Sequence, residues 1–260
     1  MVVRYRKRTN FQKIDAVEQF STATFPSTNC VAYYKLNWDV TEEVSSLDGT
    51  ASNISWVTWL MDNCWDFNWA IPSYATLPAS STFDLTTATW NIWVRNSSTT
   101  GNVYPSFWWM KSACIFDHWD ETTGSGNYAW LVIWFGTDWI NKFRANVVIS
   151  NRTWGNLTTN TVDFWTSDTD WHMLTVTLTG TTTNIYFDWD STPIATKTDH
   201  SSVNYSTNPT IYLWLRHWEY NGNRLQFTWQ LDEFGIWGRV LTTVEIAELY
   251  NGWAWLTYTE

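Results

Sequence analysis

Short stretches of alternating apolar and polar residues dominate the chain. Trp90-Asn91-Ile92-Trp93-Val94-Arg95 alternates with period two, as do Met173 to Leu178 and Asn184-Ile185-Tyr186-Phe187. That period places successive side chains on opposite faces of a strand. Cys30 to Leu36, Thr210 to Leu213 and Gln230 to Trp237 are further β-prone runs. Ala129-Trp130-Leu131-Val132-Ile133-Trp134 is continuously apolar, the pattern of a strand inside a sheet. Turns rich in Asn, Asp, Ser, Thr and Gly separate these runs, and Thr179 to Thr183 reads as a hairpin loop. No βαβ alternation is present, so an all-β antiparallel sandwich is expected rather than a parallel α/β fold.

One helix is expected. Thr242-Thr243-Val244-Glu245 is a capping box, with Thr242 as N-cap and Glu245 three residues on. Ile246, Leu249 and Tyr250 follow at helical spacing, and Asn251-Gly252 is a stop signal. The expected role of this helix is to seal an open end of the sandwich. Residues 1–28 read as an N-terminal extension or anchoring arm, and 29–260 as the domain. The arm carries Arg4, Arg6, Lys7 and Arg8, a solvated tail or a contact to a larger assembly. It has no apolar core of a signal peptide, and no apolar run reaches the ~18 residues of a membrane helix, so no membrane insertion is expected.

The 260 residues carry a net charge of −10, which disfavours general nucleic-acid binding. Cys30, Cys64 and Cys114 are odd in number and widely spaced. They form no CxxC pair and read as small buried apolar residues rather than zinc ligands or a disulfide framework.

Tryptophan changes the picture. The chain has 23 Trp and 11 Gly, where ordinary usage of ~7% would give about eighteen glycines. Many tryptophans occupy turn positions suited to glycine: Asn37-Trp38-Asp39, Asn68-Trp69-Ala70, Asp188-Trp189-Asp190 and Asn251-Gly252-Trp253-Ala254-Trp255. Three explanations compete. The indoles are sugar-stacking platforms, or ordinary core, or glycines encoded by UGA in an alternative genetic code and written here as tryptophan. The third accounts for the excess, the deficit and the turn locations together.

Leu231-Asp232-Glu233-Phe234-Gly235-Ile236-Trp237-Gly238-Arg239-Val240-Leu241, continuing through Glu245-Ile246 to Leu249-Tyr250-Asn251, closely resembles the C-terminal signature of laminin-G-like, concanavalin-A-like jelly-roll domains. Tyr33-Tyr34-Lys35-Leu36 through Asp48-Gly49-Thr50-Ala51 resembles the opening strand and turn of that family. Phe67-Asn68-Trp69 with Tyr74, and Trp171-His172 with Ile185 to Trp189, resemble two further elements with Trp at the glycine position. The resemblance spans roughly 30–258 and implies two antiparallel sheets packed face to face as a jelly roll. The family includes lectins, adhesion domains, phage appendages and a minority of glycosidases.

The resemblance also implies one structural calcium ion, with Asp232 as the leading ligand and Glu42 as a second. Otherwise no cofactor is expected. A glucanase of this fold needs paired carboxylates about 5–5.5 Å apart, and no Glu-x-Asp-x-Glu triplet occurs here. Asp188 and Asp190 read as solvated turn residues, and adjacent Asp232 and Glu233 as pointing to opposite faces of a strand. His118, His172, His200 and His217 have no partner at metal or triad spacing, and His172 reads as packing. No catalytic residue is assigned. The expected function is a non-catalytic recognition or structural module that binds a glycan or cell-surface ligand on a phage appendage or microbial surface, beside other virion or surface-assembly subunits. A purely architectural virion protein and a glycan-active hydrolase or lyase are the alternatives.

Overall fold

The computed structural model describes residues 24–58, 63–66, 73–96, 110–120, 129–138, 142–151, 157–166, 168–200, 203, 205, 210–213 and 229–250. The strands are β1 (Cys30–Tyr34), β2 (Thr50–Ser52), β3 (Ser55–Thr58), β4 (Asn63–Asp66), β5 (Tyr74–Leu77), β6 (Thr87–Asn96), β7 (Met110–Asp120) and β8 (Ala129–Asp138). They continue with β9 (Lys142–Asn151), β10 (Leu157–Thr166), β11 (Trp171–Thr179), β12 (Thr182–Phe187), β13 (Ala195–Lys197), β14 (Ile211–Leu213) and β15 (Trp229–Trp237), and α1 (Thr243–Tyr250) ends the described chain. The first sheet runs β13-β12-β11-β6-β15-β4-β3, with β1 also paired to β15; the second runs β10-β9-β8-β7-β14-β5-β2. Every described pairing is antiparallel. The expected two-sheet sandwich with one short C-terminal helix is the observed architecture.

Strand alternation builds the core. Trp90, Ile92 and Val94 of β6 and Leu174, Val176 and Leu178 of β11 face inward. They meet Leu131 and Ile133 of β8 and Ala145, Val147 and Ile149 of β9 from the opposite sheet. Burying such side chains stabilises the fold by roughly 1.5–3 kcal/mol each before entropy is counted.

The helix departs from its expected place. It does not seal an end but lies on the outer face of the first sheet. Ile246, Leu249 and Tyr250 pack there with Tyr33, Trp93, Trp171, Met173 and Trp237, and Tyr250 stacks on Trp93 with ring centroids 5.4 Å apart. The physical reason lies in the strands. Their outward positions are also large and apolar, so this sheet needs cover on both faces. β11 accordingly has eight consecutive buried residues. Thr89 on that outer face fixes the approach to the helix, donating to the Arg239 carbonyl and accepting from the Leu241 N–H, both at 2.9 Å.

The capping box forms as expected. Thr242 N–H donates to Glu245 Oε2 at 2.8 Å and Glu245 N–H to Thr242 Oγ1 at 3.3 Å. Arg239 adds a two-pronged contact to the same carboxylate, at 2.9 and 2.5 Å.

Residues at the end of the expected arm fold onto the domain. Phe25 packs edge-on against Tyr33, the Pro26 carbonyl accepts from Trp237 Nε1 at 2.6 Å, and the Thr28 carbonyl accepts from Arg239 Nε at 2.8 Å. The Arg4 to Arg8 cluster lies outside the described residues.

Candidate functional site

The register of four strands brings distant polar residues into one row at a rim of the first sheet. Trp171 of β11 lies opposite Arg95 of β6, Arg95 opposite Gln230 of β15, and Gln230 opposite Asp66 of β4. Arg95 alternates with the inward Val94 and so shares the outer face with Trp93. Its Nη1 donates to Gln230 Oε1 at 3.1 Å, and Gln230 Nε2 donates to Asp66 Oδ1 at 3.3 Å. Arg95 Nε donates to the Thr169 carbonyl at 2.8 Å, fixing the turn that carries Asp168 and Asp170. Arg95, Gln230, Asp66 and Asp170 are all half-buried. Fixed donors and acceptors thus repeat from strand to strand at about 4.8 Å, a spacing comparable with the width of a sugar ring.

A histidine on the inward face of β11, opposite Val94, holds the same turn from the other side of the sheet. His172 Nδ1 lies 3.0 Å from Asp188 Oδ2, and Nε2 lies 2.9 Å from Asp168 Oδ1. Its ring stacks on Phe187, 4.6 Å between centroids. Burial opposes charge on the imidazole, but hydrogen bonds to Asp168 and Asp188 outweigh it and lift the pKa to about 9. The ring is therefore an imidazolium at neutral pH, donating on both sides and unable to accept a proton. Asp170 next to it is shifted up by burial and by the Asp168 charge.

Several expectations are corrected here. Asp188 is not a solvated turn residue: it is 4% exposed, with φ of 56°. Its Oδ1 accepts from the Met173 N–H at 2.9 Å. The β11–β12 hairpin places it beside Met173, a partnership across 15 residues that no local spacing could show. Asp232 and Glu233 do not point to opposite faces. A bulge falls between Asp232 and Gly235, with Glu233 at φ 51°. The extra residue leaves Asp232 beside the outward Trp93 and turns Glu233 to accept from the Tyr33 hydroxyl, which also lies on the outer face.

The two expected calcium ligands have different surroundings. Glu42 is buried and takes a full set of donors. Oε1 accepts from the N–H groups of Tyr33 at 2.7 Å and Val44 at 2.9 Å. Oε2 accepts from Ser45 N–H, from Ser45 Oγ at 2.7 Å and from Leu47 N–H at 3.4 Å. A carboxylate so surrounded by N–H and O–H groups does not fit a cation. Asp232 Oδ1 accepts from the Glu233 N–H at 3.1 Å. Among the described residues, no group of three or more His, Cys, Asp or Glu is disposed to hold a metal.

Cys30 and Cys64 are buried and free. Burial, reinforced by Glu42 for Cys30 and by Asp232 for Cys64, pushes both thiols up to about 12, so neither is a nucleophile at neutral pH. Cys114 has no described side chain. Of the remaining histidines, His118 stacks on Tyr205 at 4.5 Å and His200 bonds Thr183 Oγ1 at 2.9 Å; His217 lies outside the described residues.

No family model and no curated protein matches the chain. Solved structures do. Domain 4 of AbnA, a GH43 extracellular arabinanase from Geobacillus stearothermophilus solved in complex with arabinotriose, superposes with a TM-score of 0.59 at 15% identity, covering 85% of this chain and 98% of that one. The binding domain of botulinum neurotoxin DC in complex with SialylT gives 0.60 at 11% identity over 88% of this chain. That of botulinum neurotoxin serotype G gives 0.59 at 15% over 86%. The chain spans about half the length of the neurotoxin binding domains, 52% and 51%. At these identities the likeness is one of fold: the chain is a β-sandwich similar to domains solved with bound carbohydrate.

Proposed function

We propose that this chain is a non-catalytic glycan-recognition domain of the laminin-G-like, concanavalin-A-like kind, working on the surface of a virion or microbe. Its ligand is a neutral or mildly charged oligosaccharide, bound along the polar row of Asp66, Gln230 and Arg95. One observation carries this reading most directly. Three polar side chains from three strands are locked to one another, half-exposed, on a rigid sheet. Such a strip is preorganised to exchange hydrogen bonds with hydroxyl groups at little ordering cost. The likeness to a domain solved with arabinotriose, over nearly all of that domain, supports the same ligand class.

The chemistry of the acids supports a binding role over a hydrolytic one. His172 is held as a cation, Glu42 is saturated by donors, and Glu233 is engaged by Tyr33. Hydrolysis of a glycoside needs one carboxyl group free to protonate a leaving group and another free to attack or activate water.

Calorimetric titration with arabinotriose and with a sialylated oligosaccharide, backed by a broad glycan array, tests the proposal. Saturable binding that Gln230→Ala weakens at least about tenfold is the expected result. Silence across the array, or polysaccharide cleavage by the purified chain, would overturn it.

A further inference from the structure

The described tryptophans include two contrasting groups, with Trp56, partly buried, between them in exposure. Trp65, Trp93, Trp171 and Trp237 are almost wholly buried. The indoles have work there: Trp93 stacks on Tyr250, and Trp237 donates to the Pro26 carbonyl at 2.6 Å. Trp38 and Trp189 are instead 63% and 37% exposed. Trp38 sits in a bend between Asn37 and Asp39, and Trp189 in a turn between Asp188 and Asp190.

The turn at Asp188-Trp189 is closed by a hydrogen bond from the Asp190 N–H to the Phe187 carbonyl at 3.4 Å. Its first central residue, Asp188, has a positive φ of 56°. Tight turns opening at positive φ favour glycine at the opening position, here held by Asp188, and Asp-Gly is among the preferred central pairs; Trp189 itself is not at positive φ. The preceding turn of this chain follows that rule, with Gly180 at φ 50° between β11 and β12. An indole is not needed at the second central position of such a turn, and more of the residue stays in solvent at Trp38 (63%) and Trp189 (37%) than at any buried tryptophan of the core.

We infer that Trp38 and Trp189 mark a set of positions that the producing cell fills with glycine, through a genetic code in which UGA specifies that residue. The exchange joins three facts with one cause: 23 Trp beside 11 Gly, the Asn/Asp-flanked turn positions, and the exposure of the turn indoles. It is independent of the glycan reading. It removes Trp38 and Trp189 as stacking platforms and leaves recognition to the polar row.

Peptide mass mapping of the chain isolated from its own host decides the matter. Peptides spanning 38 and 189 are expected to be lighter by the tryptophan–glycine difference, while those spanning 93 and 237 retain tryptophan. The codons should divide in the same way, UGA at the first pair and UGG at the second. Native peptides carrying tryptophan at both 38 and 189 would overturn the inference. In the recombinant chain, Trp38→Gly with Trp189→Gly is expected to keep or raise the melting temperature, whereas Trp93→Gly with Trp237→Gly lowers it sharply. A drop from the first pair as large as from the second would also overturn it.

Discussion

Asp188 closes on His172 from the far end of the β11–β12 hairpin, with Oδ2 3.0 Å from Nδ1. Its second oxygen holds the Met173 N–H, so a single carboxylate fastens both the imidazolium and the strand. The pair is buried on both sides, and the attraction is little screened by salt.

This contact makes stability depend on pH in a stated direction. The His172 pKa rises from 6.5 unfolded to about 9 folded. The stabilising contribution is complete below about pH 6.5 and disappears as pH climbs through about 9. The shift corresponds to an effect on the order of 3 kcal/mol, and the half-exposed Asp168 partner holds it at or below that. Urea unfolding at pH 6 and pH 9.5 should show the loss, and His172→Gln should flatten it. An unchanged pH profile in that variant would show that other groups are responsible.

Glu245 works in the opposite sense. The hydrogen bond from Arg239 is the largest cause that holds its carboxyl down near a pKa of about 2, below the ordinary 4.5. Its stabilising effect is present above about pH 4.5 and is lost as pH falls through about 2. Glu245→Ala is expected to cost about 1 kcal/mol at neutral pH, the usual worth of a cap. Thermal melts of the variant and the parent should converge in strong acid.

Gly235 is required by close packing. A methyl group there would lie 2.5 Å from the Trp237 ring and 3.0 Å from Tyr33 Cδ2. Those rings are themselves packed under Phe25. Gly235→Ala is therefore expected to destabilise the domain by roughly 1–3 kcal/mol, the range for overpacking a core. Denaturant midpoints measure it directly.

Glu42 holds the segment after β1 within a ring of donors. Glu42→Gln puts an N–H₂ group against those donors and should cost about 1–3 kcal/mol. A chelator added to the parent protein should leave the melting temperature where it was. A large drop on chelation would restore a cation to this part of the fold.

The polar row separates binding from folding. Gln230→Ala removes both of its links, to Arg95 and to Asp66, without touching the inward core. Glycan affinity is expected to fall at least about tenfold, equivalent to about 1.4 kcal/mol, with the melting temperature shifted by only a few degrees. A comparable loss of stability would assign the row to the fold instead.

Periodicity made the central strands legible. β6, β11 and β12 fall where alternation places them, and β15 where its β-prone run does, because each is buried on at least one face over most of its length. β2, β3, β5 and β13 are three or four residues long, too short for period two to stand out from surrounding Ser and Thr. The helix was legible from its caps, since Thr242 and Glu245 satisfy each other locally. Its docking face was not, because a sequence does not reveal which side of a sheet lacks cover.

The amino-acid order by itself determined the all-β class, the capped terminal helix, the buried character of Cys30 and Cys64 and the mismatch between tryptophan and glycine. These follow from spacing within a few residues or from composition. Tertiary structure alone decided the clamp on His172, the bulge that turns Glu233 beside Asp232, and the row joining residues 66, 95 and 230. Each depends on which strands pair and in what register, and pairing is set by burying two sheets against each other rather than by any local run of residues.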